Sequence, residues 1–241
     1  MPKYEEIAGV LRQRITDGVY PVGSMLPTRT ILAEEFQVSR VTVKKAIEIL
    51  TVEGLVLSRQ GDGTKILNSS FFDREDAKFR LDNFNGLSSD LHSDDRKLSS
   101  QVIEFTVDFP DQELADRLQV DQTTPVYKIV RLRLLDGEPY TLEHTYMPSD
   151  LVPGLNQEIL EASIYDFLLK KLGLKFAGSY RHITAERPDS YDVEYLDCKK
   201  NDPILQIEQL VYLKNGRPIE YSRSRNRYDT RGYSLLDVKT N

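Results

Sequence analysis

Along the first 67 residues the hydrophobic positions recur three times at helical spacing and then switch to short extended runs. Ile7, Val10, Leu11 and Ile15 form one stripe that Gly18 and Pro21 bring to a stop, so an amphipathic helix is predicted over residues 4–17. A second, short helix is predicted after Pro27, with Thr28 as its N-cap and Ile31, Leu32 and Phe36 turned inward. Three residues later Ser39 caps a third helix whose Val43, Ala46, Ile47 and Leu50 face one side and which Gly54 ends. Leu55 to Arg59 and Thr64 to Leu67 then read as two strands joined across Gly61-Asp62-Gly63. Helix, tight turn, helix and hairpin is the order of a winged helix-turn-helix.

Beyond Asn68 the chain is polar, and residues 69–83 are read as a linker. From Val102 the pattern changes period: Ile103, Phe105, Val107 and Phe109 alternate with polar residues, as in a half-buried strand. A short helix over residues 112–118 follows. Two hairpins are predicted, around Asp136-Gly137 and Asn215-Gly216, both with the turn pattern (Asp/Asn)-Gly-x-Pro. Between them Ser163 to Leu172 reads as a helix with Ile164, Phe167, Leu168 and Leu172 inward and Gly173 just past its end. The expected fold class is α+β: a winged helix-turn-helix over residues 1–68 and, over 84–241, a second domain framed by an antiparallel sheet.

Composition sharpens this picture in two places. The 241 residues suit two domains, and one cysteine, Cys198, cannot form an intramolecular disulfide. With no apolar leader or span near the start, the expectation is a cytoplasmic protein with no membrane partner. The net charge of −6 argues weakly against nucleic acid, but the charge is unevenly placed. Residues 1–67 carry net +1 and the remainder −7.

A helix that enters the major groove exposes donors opposite its packing stripe. In the third helix Arg40 lies in the first turn, and Lys44 and Lys45 lie about 100° and 200° around from Val43 at 3.6 residues per turn. Ser39 and Thr42 can donate to phosphates beside them, and the helix N-terminus adds free N–H groups. A solvated basic face is the plainer alternative for the two lysines. In the second half, Arg131 and Arg133 are two apart on a predicted strand and project from one face with Tyr127, Ile129 and Leu135. They could clamp one anion or pair with surface carboxylates.

The series Leu26-Pro27, Leu32-Ala33-Glu34, Val38-Ser39-Arg40, Thr42-Val43, Ala46, Leu50, Glu53-Gly54-Leu55 and Gly61-x-Gly63-Thr64 resembles the winged helix-turn-helix of the GntR family. The region from about Phe84 to Leu236 resembles the effector domain of the HutC branch, whose fold is that of chorismate lyase. Its motifs are Arg131-x-Arg133, Asp136-Gly137-x-Pro139, Glu143, Tyr146-x-Pro148, Ser163-x-Tyr165 and Gly216-x-Pro218-x-Glu220-Tyr221. The resemblance implies a ligand-responsive regulator, expected to be a repressor. Arg40 would read a base edge, Ser39, Thr42 and Lys44 would hold phosphate or base, and the wing tip at Gly61 would enter the minor groove. Thr28, Arg29, Thr30 and Gln60 complete the expected DNA contacts. The effector would be a phosphorylated sugar, its phosphate on Arg131 and Arg133 with Ser163, Tyr165 and the Ser88-Ser89 loop, and Glu143 and Glu220 would accept hydrogen bonds from its hydroxyl or amino groups. A homodimer on a palindromic operator completes the expectation.

This chain departs from the family pattern at several places. Thr30 stands where an arginine is usual, with Arg29 one place earlier; Lys44 replaces an arginine, and Asp62 replaces a basic or histidine wing residue. Gln37 replaces a frequent turn glycine, and Asn226 a tyrosine found in sugar-phosphate binders.

The alternatives are a non-phosphorylated organic acid as effector, a chorismate-lyase-like enzyme, and an architectural DNA-binding protein. Catalysis has little footing: His92, His144 and His182 are scattered, and Cys198 lies in a polar, helix-like stretch without a nearby base. The histidines have no short metal-ligand spacing, so no metal is expected, and no phosphate-binding glycine loop is present, so no cofactor is expected. An architectural protein has no use for some 150 further residues with paired arginines.

Overall fold

The computed structural model describes residues 2–59, 61–68 and 96–233. They form two compact units, one within residues 2–68 and one within 96–232.

In the first unit, α1 (Lys3–Thr16), α2 (Arg29–Glu35) and α3 (Arg40–Val52) precede the strands β1 (Val56–Arg59) and β2 (Gly63–Ile66). Ile7 and Leu11 of α1, Leu32 of α2, Val43, Ala46, Ile47 and Leu50 of α3, and Val56 and Ile66 of the hairpin make one core. Two inward assignments from the periodicity fail. Val10 and Ile31 are 42% and 53% exposed, and the smaller Ala8 and Ala33 take the buried places. An alanine carries a weak hydropathy signal, yet it is what lets helices approach closely. The hairpin has a third partner that its own sequence does not reveal. Leu26 N–H donates to the Thr64 carbonyl and Ile66 N–H to the Ser24 carbonyl, both at 2.8 Å, so residues 24–26 line the edge of the wing. Gly63, at φ +89°, lies under that segment; a Cβ there would sit 2.8 Å from Met25 Cε.

The second unit is built on a six-stranded antiparallel sheet of order β3-β4-β5-β8-β7-β6. Its strands are β3 (Leu98–Asp108), β4 (Val126–Leu135), β5 (Glu138–Pro148), β6 (Phe176–Glu186), β7 (Ile204–Leu213) and β8 (Pro218–Arg227). The helices are α4 (Gln112–Leu118), as expected from the sequence, α5 (Gln157–Glu161), α6 (Ile164–Asp166) and α7 (Ser190–Tyr195). α6 continues as a π-helical turn over Phe167–Lys171, and Gly173 at φ +66° lies beyond it.

The expected alternation in β3 is interrupted. The register slips between Val102 and Glu104, which leaves Ile103 as a bulge. Phe105 therefore shares a face with Val102, while Ile103 packs into the core on the other side. Val107 and Phe109, at the open end of this edge strand, are exposed. The two hairpins also differ despite their common sequence pattern. Asp136 and Gly137 both take positive φ in a two-residue loop, whereas in the second only Gly216 does; in both the register slips close to the turn. Cys198 is buried in a loop after α7, not in a polar helix.

Each face of the sheet has its own core. Ile129, Met147, Val211 and Ile219 pack under α5 and α6. On the opposite face Val130, Leu132, Leu142 and Ile204 pack with Leu196 and Cys198. There Arg225 donates from Nε and Nη2 to Asp192, at 2.9 and 2.6 Å, and from Nη1 to Gln206 at 2.7 Å. Asp192 is fully buried and also closes a capping box with Asp189, so one ion pair ties α7 to β8.

His144 sits on this face too, edge-on to Tyr191 at 5.4 Å. Burial, with Arg223 and Arg225 nearby, pushes its pKa down to about 4. The folded state thus binds the proton more weakly than the unfolded chain, so the contribution of neutral His144 is complete above about pH 6.5 and is lost as pH falls toward 4. The expected loss of stability over this window is up to about 3 kcal/mol. Denaturant unfolding of the second unit, followed from pH 7 to 4, should show this decline in wild type and a flatter one in His144→Gln.

Candidate DNA-binding and effector sites

The helix-turn-helix geometry follows from two side-chain caps. Thr28 Oγ1 accepts from Ile31 N–H at 3.4 Å and starts α2; Ser39 Oγ accepts from Thr42 N–H at 3.2 Å and starts α3. The turn between them passes through Gln37 at φ +53°, with Val38 N–H donating to the Ala33 carbonyl. A left-handed glutamine costs roughly 1 kcal/mol, and the packed helices on either side hold it there.

Arg40 is exposed at the first turn of α3, as are Arg29 at the first turn of α2 and Gly61 at the wing tip; Thr30 and Thr42 are half-buried. Thr42 Oγ1 lies 2.9 Å from Ser39 Oγ, so the two hydroxyls share a proton donor at the N-terminus of α3. The two lysines of α3 have different roles. Lys45 leans over the Tyr4 ring at 5.6 Å, tying α3 to α1, while Lys44 is exposed and 3.5 Å from Glu48 one turn on. An exposed pair of this kind contributes only a few tenths of a kcal/mol. Gln60, Ser88 and Ser89 lie outside the described residues.

In the second unit β4 presents Arg131 and Arg133 on the same face as Ile129 and Tyr127, and both guanidiniums are about 5% exposed. Both reach one oxygen of Glu143, directly across on β5: Arg131 at 2.6 Å and Arg133 at 3.5 Å. Arg131 also donates from Nη1 to the Leu160 carbonyl at 2.9 Å, satisfying an end group of α5, while its Nε has no hydrogen-bond partner among the described residues. Burial alone would raise the Glu143 carboxyl, but Arg131 and Arg133 together hold it below the ordinary carboxylate range. Arg133 itself is lowered, first by burial and then by the like charge of Arg131.

The adjoining row belongs to Tyr165 and Glu220. Ser222 Oγ donates to Glu220 Oε1 at 2.7 Å, and Gln209 Nε2 donates to Tyr165 Oη at 3.2 Å and to Glu220 Oε1 at 3.4 Å. Burial and then the charge on Glu143 push Glu220 upward, toward the neutral form. Tyr165, buried and hydrogen-bonded to Glu220, keeps its proton. Ser163 Oγ accepts from Asp166 N–H at 3.2 Å as the cap of α6 and is half-buried. Of the expected effector residues, Arg131, Arg133 and Glu143 therefore meet in one cluster and Tyr165 and Glu220 in its neighbour.

Gln209 and Arg181 were not among the expected residues. Arg181 Nε donates to Gln209 Oε1 at 2.6 Å, and the two are register partners on β6 and β7. Only the pairing of those strands brings them to the site.

The gntR model for bacterial regulatory proteins matches residues 3–66, and the UTRA domain model matches residues 93–230. The chain belongs to the GntR family. It is a transcription regulator with a GntR helix-turn-helix and a UTRA domain, not an enzyme. It is 45% identical over 229 residues to the transcriptional regulator GmuR of Bacillus subtilis, covering 95% of each chain. It is 32% identical to the mannosyl-D-glycerate transport/metabolism system repressor MngR of Escherichia coli, over 98% of this chain and 95% of that one. The crystal structure of the possible transcriptional regulator YydK from B. subtilis matches with a TM-score of 0.81 at 28% identity, covering 99% of this chain and 100% of that one. No described helix is long and apolar enough to cross a membrane.

The shared carboxylate has a direct consequence. Removing it in Glu143→Ala leaves two like charges buried side by side, which should cost on the order of 3–5 kcal/mol. Thermal melting should show the loss, and added phosphate should recover more of it than equal ionic strength of chloride. No loss of melting temperature would mean that Glu143 is not the counter-charge.

Proposed function

We propose that this GntR-family regulator is a repressor whose operator affinity is set by a small anionic effector, a phosphorylated sugar, bound on Arg131 and Arg133. The observation that carries this reading is the buried cluster in which two guanidiniums converge on one carboxylate oxygen. Guanidinium groups hold phosphate through paired charge-assisted hydrogen bonds, and a site already stripped of water makes those bonds stronger. Tyr165 and Glu220, one row away, serve the hydroxyl groups of the sugar, and Ser163 at the start of α6 adds an oxygen beside the phosphate. That MngR is named as the repressor of a mannosyl-D-glycerate system supports a sugar-derived effector. Ser88 and Ser89 remain part of the proposed phosphate site.

On DNA, Arg40 reads a base edge from the N-terminal turn of α3, with Ser39, Thr42 and Lys44 on phosphate. Thr28, Arg29 and Thr30 approach the backbone from the start of α2, and Gln60 and Gly61 approach from the wing. The regulator works in the cytoplasm as a homodimer on a palindromic operator, where two-fold symmetry matches the half-sites.

These roles separate in binding measurements. Arg40→Ala should lose about 1–3 kcal/mol of operator discrimination, because it removes a bidentate base contact. Lys44→Ala should weaken operator and scrambled duplex alike and flatten the salt slope by about one unit. Titrations against both duplexes at two salt concentrations distinguish the two; operator binding by Arg40→Ala equal to wild type would remove α3 from the groove.

For the effector, a calorimetric screen of sugar phosphates and organic acids identifies the ligand. Arg133→Ala should then lose about 1.5–3 kcal/mol, or about 10- to 150-fold, of its affinity while operator binding without effector is unchanged. A non-phosphorylated ligand that binds wild type and variant equally would return both arginines to a purely structural role.

A further inference from the structure

α3 turns a hydrocarbon side chain toward solvent at the end where a helix of this motif meets DNA. Val41 is 63% exposed and lies in the first turn, between Arg40 and Thr42. At 3.6 residues per turn it stands about 160° around from Val43, nearly opposite the buried stripe of Val43, Ala46, Ile47 and Leu50. A lone exposed valine is ordinary on a protein surface. What sets this one apart is its place and the occupation of its neighbours.

The polar groups around Val41 are directed elsewhere. Lys45, within about 40° of the same outward line, leans over the Tyr4 ring of α1 at 5.6 Å. Glu48, also near that line, is a carboxylate that phosphate repels, and Lys44 lies 3.5 Å from it. Ser39 Oγ caps the Thr42 N–H, and the two hydroxyls are 2.9 Å apart. Arg40 projects about 100° to one side of Val41. The most outward side chain of the first turn is therefore apolar. The described α-helices α1 and α4 to α7 each have an Asp or Glu in their first turn, as the positive end of a helix favours. The first turns of α2 and α3 have none, which suits a surface that meets phosphates.

We infer that Val41 is a specificity residue of α3 and reads the C5 methyl group of a thymine in the major groove, beside the base read by Arg40. The inference rests on the placement of α3 in the groove under the proposed function. Every base pair presents hydrogen-bonding groups there, and thymine adds an apolar one, its methyl group. A valine side chain has no hydrogen bond to offer, so it favours that methyl group and leaves the amino edge of a cytosine at the same place without a partner. Burying one methyl group corresponds to about fourfold in affinity, a preference repeated in each half-site of a palindrome.

The test uses the full chain and a duplex selected with it from a randomised pool. Each thymine of that duplex is replaced in turn by deoxyuridine, which pairs identically and lacks only the methyl group. Wild type should lose about fourfold at one thymine in each half-site. Val41→Ala replaces an exposed side chain and raises helix propensity, so it should melt no lower than wild type. It should bind the parent duplex severalfold more weakly and should bind the thymine and uracil duplexes alike at that position, which closes a double-mutant cycle on one methyl group. Arg40→Ala separates the inference from its foundation. Binding of the selected duplex by Arg40→Ala equal to wild type would take α3 out of the groove, and both readings with it. With Arg40→Ala deficient, the absence of any thymine whose uracil penalty is present in wild type and lost in Val41→Ala would overturn the role of Val41 alone.

Discussion

Two guanidinium groups cannot lie buried side by side on one strand without a counter-charge, and in this regulator that counter-charge is Glu143. The need follows from the sequence spacing: residues two apart on β4 must share a face, and that face is covered by α5 and α6. One carboxylate on the neighbouring strand, reached by both side chains, makes the burial tolerable. The arrangement around it follows from the same demand. Arg131 spends a donor on the open end of α5, which fixes the segment carrying Ser163, and the Glu220–Tyr165–Gln209 network fills the adjoining row with hydrogen bonds.

The opposite face of the sheet carries a second buried arginine cluster. There Arg225 is buried as deeply, but Asp192 faces it with both oxygens, and Gln206 and the Arg187 carbonyl take up further donors. Asp189 lies 3.8 Å from the same guanidinium, and the cluster fastens α7 to β8. In the Arg131–Arg133–Glu143 cluster two guanidiniums reach one carboxylate oxygen, and the Nε of Arg131 has no hydrogen-bond partner among the described residues.

How much of this was legible in the sequence depended on whether the signal was local. The caps Thr28 and Ser39, the inward face of α3, the limits of α4 and the arginine pair are set by neighbours in sequence, and they stand where the patterns put them. What escaped depends on partners far along the chain. β6 was missed because it is an edge strand with exposed Tyr180 and His182 on one face and Arg181 on the other, so no alternation marks it. The bulge at Ile103 puts Ile103 and Phe105 on opposite faces although their spacing promises one. Val10 and Ile31 were given buried places that went to alanines. Of the proposed effector site, Arg131, Arg133 and Glu143 could be picked out as candidates, but Arg181 and Gln209 meet only through the register of β6 and β7.

The burial of Arg131 and its hold on α5 bear on how an effector could govern DNA binding. An effector alters operator affinity only to the extent that its binding free energy differs between the operator-bound and free forms, and the coupling is reciprocal. On the proposed placement of the effector, side chains already buried and held at close range lose little freedom on binding. A change of conformation that separates Arg131, held by the Leu160 carbonyl at α5, from Arg133 would weaken the proposed anion's hold, and the anion in turn would favour the gathered form. Residues 149–174, which carry α5 and α6 over this face, are where the proposed binding and conformation are most directly linked, because Arg131 belongs both to the proposed anion site and to the hydrogen bonding of a helix end.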